Sequence, residues 1–281
     1  MSELAALRAA VLGWYARSRR DLPWRRTTDP YTVLVSEVML QQTQVPRVIP
    51  KYQAFLDRFP SASQCAAAPV ADVVRAWAGL GYNRRAVNLH RAAVAVVERH
   101  GGGFPNDLDA LMALPGVGPY TARAVLTFAF GRDVGIVESN TGRVLARVAG
   151  RPLSPTEAQR FADELVPDGD GWAWNQAMID LGATVCLRRA PKCGECPIAT
   201  HCRWHAGADP AAPAHKQSTF AGSDRQGRGR LVDAMRVAPV PVDRIPEAAG
   251  WPDDPARAHR VASTLVADGL AIEVDGELRL P

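Results

Sequence analysis

The sequence predicts an all-α protein that ends in a small α+β unit. Three observations lead there. Apolar residues recur at helical spacing, as in Leu4, Leu7 and Val11, in Val33, Val38 and Leu40, and in Val73, Val74 and Trp77. Strand-like alternation is scarce until the C-terminus. The glycines, prolines and capping residues fall between the periodic stretches, where helices start and stop.

Taken in order, Leu4, Leu7 and Val11 mark an N-terminal helix. Asp29-Pro30 reads as an N-cap and a first-turn proline, opening a helix through about Gln42. Thr43 is placed to cap the next helix, which ends near Arg58-Phe59-Pro60. Asn106 caps a short helix that stops at Leu114-Pro115-Gly116. In the following turn, Gly116 and Gly118 permit close approach of another chain, and Pro119 suits the first position of a new helix. The unpaired N–H groups of such a helix start suit a phosphate, although the same pattern also makes an ordinary helical corner. Helices continue to about residue 206. Residues 207–227 are rich in Ala, Pro, Gly and polar side chains and read as a linker. In the remaining stretch, 228–281, helices are expected at Arg228–Arg236, Val242–Ala248 and Asp254–Asp268. Leu270–Val274 and Glu277–Leu280 then flank Asp275-Gly276, a strong hairpin signal. Three helices and a hairpin form a winged-helix-like layout, which serves DNA binding in some proteins and packing in others. The third helix here is not strongly basic.

The chain has 281 residues, 47% of them hydrophobic, enough for a real core. A net charge of +4 permits a polyanionic partner without requiring one. Lysine occurs only at Lys51, Lys192 and Lys216, so nearly all the positive charge is arginine, which suits bidentate phosphate contacts. Genomic base composition explains the same bias equally well. There is no membrane-length apolar run and no signal-peptide pattern, so the chain reads as cytoplasmic and without a membrane partner. A monomer is expected.

Four of the five cysteines, Cys186, Cys193, Cys196 and Cys202, lie in one short loop. Zinc ligands usually come as two close pairs separated by a longer stretch. Uneven gaps in a single loop fit a cubane iron–sulfur cluster better, with zinc the second reading and disulfides the third. Arg188, Arg189, Lys192 and His201 surround the ligands, a basic setting that suits a polyanion.

Several stretches together carry a family resemblance: LPWR at 22–25, DPYTVLVSEVMLQQTQV at 29–45, GLGYNRRAVNLH at 79–90, LPGVGPYTARAV at 114–125, NTGRVLAR at 140–147, NQAMIDLGATVC at 175–186, and the cysteine loop. The chain resembles the helix-hairpin-helix DNA glycosylases with an iron–sulfur cluster, and among them the MutY-type adenine glycosylases. The resemblance implies a core at 1–206 made of a six-helix subdomain (about 30–133) and a cluster subdomain (the N-terminal helix with about 134–206). It also implies a [4Fe-4S] cofactor and, as partner, double-stranded DNA with a mispaired or oxidised base.

The implied chemistry is hydrolysis of an N-glycosidic bond, which needs an acid for the leaving base and an anion for the cationic sugar. Glu37 matches the family's acid, and its apolar helical neighbours favour the protonated form. Glu138 stands just before a helix beginning near Thr141, a place that favours an anion. The family has Asp there. The extra methylene moves the carboxylate by roughly 1–1.5 Å, enough to cost about a hundredfold in rate if uncompensated. Tyr120 and Asn140 line the implied pocket. Tyr120 also fills the position of the Schiff-base lysine found in bifunctional relatives, and no lysine lies between Lys51 and Lys192, so the enzyme is expected to be monofunctional. Gln41, Gln42 and Thr43 are implied to contact the orphaned guanine or 8-oxoguanine. Tyr82 is placed as a wedge between bases, Arg84 and Arg85 as phosphate contacts or a solvated face, and Trp24 and Arg25 as pocket borders, with Trp24 equally suited to the core. The preferred reading is removal of adenine opposite 8-oxoguanine or guanine. The alternatives are a T·G or U·G mismatch glycosylase, or a non-catalytic lesion-binding protein.

Overall fold

The computed structural model describes residues 2–204, 208–211 and 218–281. Contacts divide the chain into two compact units. The first holds Met1–Val33, Asn106–Asp109 and Gly118–His215, and the second holds Leu34–Pro105, Ala110–Val117 and Lys216–Pro281.

In the first unit, helix α1 spans Glu3–Ser18, and its N-cap Ser2 accepts a hydrogen bond from the Ala5 N–H. A 3-10 turn follows at Pro23–Arg25. Helix α2, Pro30–Leu40, starts here and continues into the second unit. The Asp29 carboxylate accepts the Thr32 N–H at 2.8 Å, the expected cap. In the second unit come α3 (Val45–Arg58), α4 (Ala62–Ala67), α5 (Val70–Ala76) and α6 (Arg84–His100). The short α7, Leu108–Met112, leads through the Leu114–Val117 turn to α8, Pro119–Phe130, back in the first unit. Three helices complete that unit: α9 (Ser139–Ala149), α10 (Pro155–Leu165) and α11 (Gly171–Thr184). The C-terminal part, in the second unit, comprises α12 (Asp224–Val237), β1 (Val240–Pro241), α13 (Ile245–Ala249), α14 (Pro255–Ala267), β2 (Ile272–Val274) and β3 (Glu277–Arg279).

The core of the first unit forms where Leu7, Val11 and Tyr15 of α1 meet Trp174, Met178 and Leu181 of α11 and Val144 and Leu145 of α9. Each such side chain contributes about 1.5–3 kcal/mol when fully buried. Arg8 extends this packing by donating to the carbonyls of Glu164, Leu165 and Val166, closing the C-terminal end of α10. In the second unit, α4 and α5 pack on α6. Phe55 packs there against Phe59 in a tilted pair and against Trp77 edge-to-face, with ring centroids 5.1 and 5.9 Å apart.

The C-terminal hairpin is as expected, with Asp275 at φ 52° and Gly276 at φ 75°, the paired left-handed residues of a tight two-residue turn. Glu273 pairs with Leu278 across it. Strand β1 was not foreseen. It is two residues long and contains a proline, which the sheet tolerates at its edge, where Val240 pairs with Leu278.

Three boundaries differ from expectation. Residues 118–133 lie in the unit that holds α9 and α11, because α8 packs on α11. Helix α12 begins inside the expected linker, since Gly227 lies flat against Trp251, where a Cβ would come within 2.1 Å of the indole. The remainder of that linker falls partly outside the described residues. Finally, Thr43 does not cap α3. Its hydroxyl is drawn to a buried arginine, and Gln44 stands at the N-cap without a side-chain bond.

Candidate functional site

Within the second unit, Glu37 sits in the middle of α2 and is 5% exposed. The α2 C-terminus then turns sharply. Gln42 adopts φ 54°, a left-handed conformation uncommon for a side chain of its size. A second tight turn, Gly79–Tyr82, places Tyr82 at φ 47° with its ring 44% exposed. Local strain of this kind persists only when the surroundings over-determine it. Here the over-determining group is Arg85.

The Arg85 side chain is buried, and its seven hydrogen bonds bind both turns. It donates to the carbonyls of Val38, Met39 and Gln41 and to the Thr43 hydroxyl on one side, and to the carbonyls of Leu80, Gly81 and Tyr82 on the other. Its guanidinium also lies 5.5 Å from the ring centroids of Trp77 and Tyr82. Burial pushes its pKa down to about 10, which leaves it charged at neutral pH. Arg85 is therefore neither a solvated face nor a phosphate contact; Gln41, Gln42, Thr43 and Tyr82 are held together around it. Arg84 lies outside this cage, paired with Asp268 at 3.1 Å. Gly116, at φ 77°, presses on α6 so closely that a Cβ would lie 2.6 Å from that of Asn88.

In the first unit, Gly118 is the N-cap of α8 and faces open space at its missing Cβ. Tyr120 is half-buried in the first turn of that helix. Glu138 is the N-cap of α9: its carboxylate accepts the Thr141 N–H at 2.9 Å and the Ser139 hydroxyl at 3.1 Å. Asn140 follows in the same turn. Its side-chain oxygen accepts from Arg143 at 2.8 Å, and Arg143 also donates to the carbonyls of Gly182 and Cys186. The close approach of α9 to α11 depends on Gly182, where a Cβ would come within 2.8 Å of Asn140.

Trp24 is buried, 7% exposed. Arg25 is turned inward. Its guanidinium forms a two-pronged pair with Asp180 at 2.8 and 2.7 Å, and Arg20 reaches the same carboxylate at 2.6 Å. Arg25 is thus a tie between the Pro23–Arg25 turn and α11, not an exposed pocket border. Burial alone would raise the Asp180 pKa, but Arg25 and Arg20 outweigh it and hold the carboxyl below its ordinary value.

Cys186 follows directly on α11, and the loop returns through the Lys192 N–H, which donates to the Val185 carbonyl at 2.9 Å. Two 3-10 turns, Cys193–Glu195 and Ala199–His201, space the other three thiols. Burial pushes the Cys196 thiol up to about 11, and Cys186, Cys202 and Cys193 lie near enough to push it the same way. Four neighbouring thiols at uneven intervals of one loop suit a multi-atom cluster better than a zinc ion. Arg147, 1% exposed, anchors the loop: it donates to the Leu187 carbonyl at 2.8 Å and the Cys186 sulfur at 3.3 Å, and stacks on Trp204 at 4.4 Å. Burial opposes its charge, but Asp209 and Cys186 more than compensate and raise its pKa. Neither Arg143 nor Arg147 was singled out from the sequence. Both lie on α9 within the motif NTGRVLAR at 140–147, which marks the family but not which of its arginines turn inward.

The model of the HhH-GPD superfamily of base excision DNA repair proteins matches residues 35–168. The iron-sulfur binding domain of endonuclease III matches residues 186–202. An adenine DNA glycosylase of Mycolicibacterium smegmatis is 44% identical over 277 residues, 96% of this chain and 94% of that protein. The adenine DNA glycosylase of Homo sapiens is 41% identical over 218 residues, 72% of this chain and 40% of the human protein. Among solved structures, a thermostable thymine-DNA glycosylase superposes with a TM-score of 0.69 at 31% identity, covering 72% of this chain and 95% of that one. Similarity of this degree, running nearly the full length of the mycobacterial relative, makes this chain a member of the adenine DNA glycosylase family, DNA N-glycosylases of base excision repair that carry a [4Fe-4S] cluster.

Proposed function

We propose that the protein removes adenine mispaired with 8-oxoguanine or guanine in duplex DNA, leaving an intact abasic site. The observation that carries this reading is the seat of Glu138. Although longer than the family's aspartate, it is locked as the N-cap of α9, its carboxylate accepting the Thr141 N–H and the Ser139 hydroxyl. Glu37, enclosed in α2, gives its proton to the adenine ring. The bond from the sugar C1′ to the base then breaks with its electrons leaving on the base. Glu138 stabilises the cationic sugar, water adds to C1′, and the water's proton returns to Glu37. Tyr120 and Asn140 line the base pocket. Gln41, Gln42 and Thr43 meet the orphaned base, and Tyr82 enters the gap left by extrusion, which offsets part of the few kcal/mol that flipping costs. Gly116 and Gly118 let the DNA backbone approach the α8 N-terminus. No lysine lies between Lys51 and Lys192, the stretch that supplies Tyr120, Glu138 and Asn140, so strand cleavage at the abasic site is not expected.

Labelled duplexes containing A·8-oxoG, A·G, T·G or U·G, followed by alkali, test the reading. Cutting is expected at adenine and not at T or U. The likeness to a thymine-DNA glycosylase favours a second reading, pyrimidine removal opposite guanine, and cutting confined to T or U would establish it instead. Glu37→Gln is expected to abolish base release and leave duplex binding intact. Binding without cutting in the parent, with cutting restored by Glu138→Asp, would mark a disabled site.

A further inference from the structure

The C-terminal part of the chain does more than pack. A groove of about 690 Å³ opens within the second unit, a volume in the range of bound ligands. One wall carries Gln41, Gln42 and Tyr82, the residues implied to meet the orphaned base. The other wall comes from the C-terminal part, with Phe220, Arg225 and Arg228. Arg47 and Arg84 also line it, and among the described residues none that lines it is acidic. Asp268 tempers this charge from behind by pairing with Arg84 at 3.1 Å and Arg228 at 2.5 Å, but does not cancel it.

Phe220 is 58% exposed, and the Arg225 guanidinium lies 6.0 Å from its ring centroid. An exposed ring with an arginine beside it, in a groove lined by cations, matches the stacking platforms that hold unpaired nucleic acid. The left-handed Gln42 and Tyr82 edge the same groove. Its two walls are fastened together. Arg236 donates to the Val74 carbonyl and to the Asn83 side chain at 2.9 Å, and the Ala71 N–H donates to the Pro281 carbonyl. The third helix, the usual DNA reader of a winged helix, is committed elsewhere: Arg257 and Arg260 both pair with Asp224, and Arg257 stacks on Trp251 at 4.1 Å. The partner face of this unit is therefore the start of α12 with the Phe220 segment before it.

We propose that this groove takes the DNA strand facing the extruded nucleotide, with Phe220 stacking on a base of that strand and Arg225 and Arg228 meeting its phosphates. The proposal rests on the glycosylase reading above, because that reading supplies a distorted duplex with an unstacked position.

The test is anisotropy of the full chain on a labelled duplex carrying a stable abasic analogue opposite guanine. Phe220→Ala is expected to weaken binding by roughly 5- to 100-fold, the range of one lost base stack. The double variant Arg225→Gln, Arg228→Gln is expected to make the slope of log affinity against log salt shallower by about 1–2. Because Arg228 also holds Asp268, Arg225→Gln alone serves as the milder variant, and circular dichroism verifies folding. Uncharged methylphosphonate links opposite the abasic site should weaken the parent but add little to the double variant. The same links in the abasic strand should weaken both equally. Unchanged affinity and slope in the variants, or coupling to the abasic strand instead, would overturn the proposal. Adenine release is scored separately in the parent: release without groove coupling removes the groove alone, and groove coupling without release removes the adenine reading alone.

Discussion

Arg85 illustrates how a residue read as surface charge becomes a structural hub. Its motif, GLGYNRRAVNLH, offers two adjacent arginines, and nothing local says which one turns inward. Helical geometry separates neighbours by about 100°, so burial of one leaves the other outside. Arg85 is drawn in because the carbonyls of Val38, Met39 and Gln41 at the end of α2 and of Leu80 and Gly81 in the next turn converge on its guanidinium. Arg85→Lys keeps the charge but cannot serve both turns with a rigid fork. It is expected to weaken duplex binding about tenfold or more, to blur discrimination of the opposite base, and to leave helicity unchanged. Equal discrimination in parent and variant would reduce Arg85 to a packing residue. Glu138 shows the complementary case. Its place just before a helix was legible from Val137-Glu138-Ser139-Asn140-Thr141, although α9 begins at Ser139 and not near Thr141, which makes Glu138 itself the cap.

At the scale of elements, α11 ties the first unit together. Its apolar face receives α1, its Asp180 receives Arg20 and Arg25, and its end leads into the cysteine loop. The Asp180 pKa is held below the unfolded value of about 3.9, so its stabilising contribution is fully present above that pH. It is lost as pH falls through the folded pKa. Asp180→Asn is therefore expected to lower stability by about 3–5 kcal/mol at neutral pH and to show a shallower fall in melting temperature below about pH 4. A variant with the parent's acid profile would place that sensitivity elsewhere. The cysteine loop has a separate test. Cys196→Ser is expected to lose the broad visible absorbance of the cluster and to melt earlier, since Arg147 and Arg143 hold α9 to the same loop. A colourless, zinc-loaded parent would reject the cluster.

For the whole molecule, the excess of arginine has a measurable consequence. Binding to duplex DNA should weaken steeply with salt, by about three orders of magnitude between 50 and 200 mM if six phosphates are neutralised. Affinity indifferent to salt would show that the arginines are occupied within the protein, as Arg8, Arg25, Arg85 and Arg147 are. Among the described residues, no helix is long and apolar enough to cross a membrane. Beside the motifs that carry the family resemblance, the sequence by itself determined the all-helical core, the C-terminal hairpin and the gathering of four cysteines in one loop. These rest on periodicity, turn chemistry and spacing, which act over a few residues and are written in order along the chain. Only the tertiary structure decided which arginines are buried, why Thr43 leaves its helix cap, that α12 starts within the apparent linker, and that Phe220 shares a groove with Gln42 and Tyr82. The reason is physical: a buried guanidinium is satisfied by carbonyls far away in sequence, and no local pattern records which distant backbone groups lack a partner.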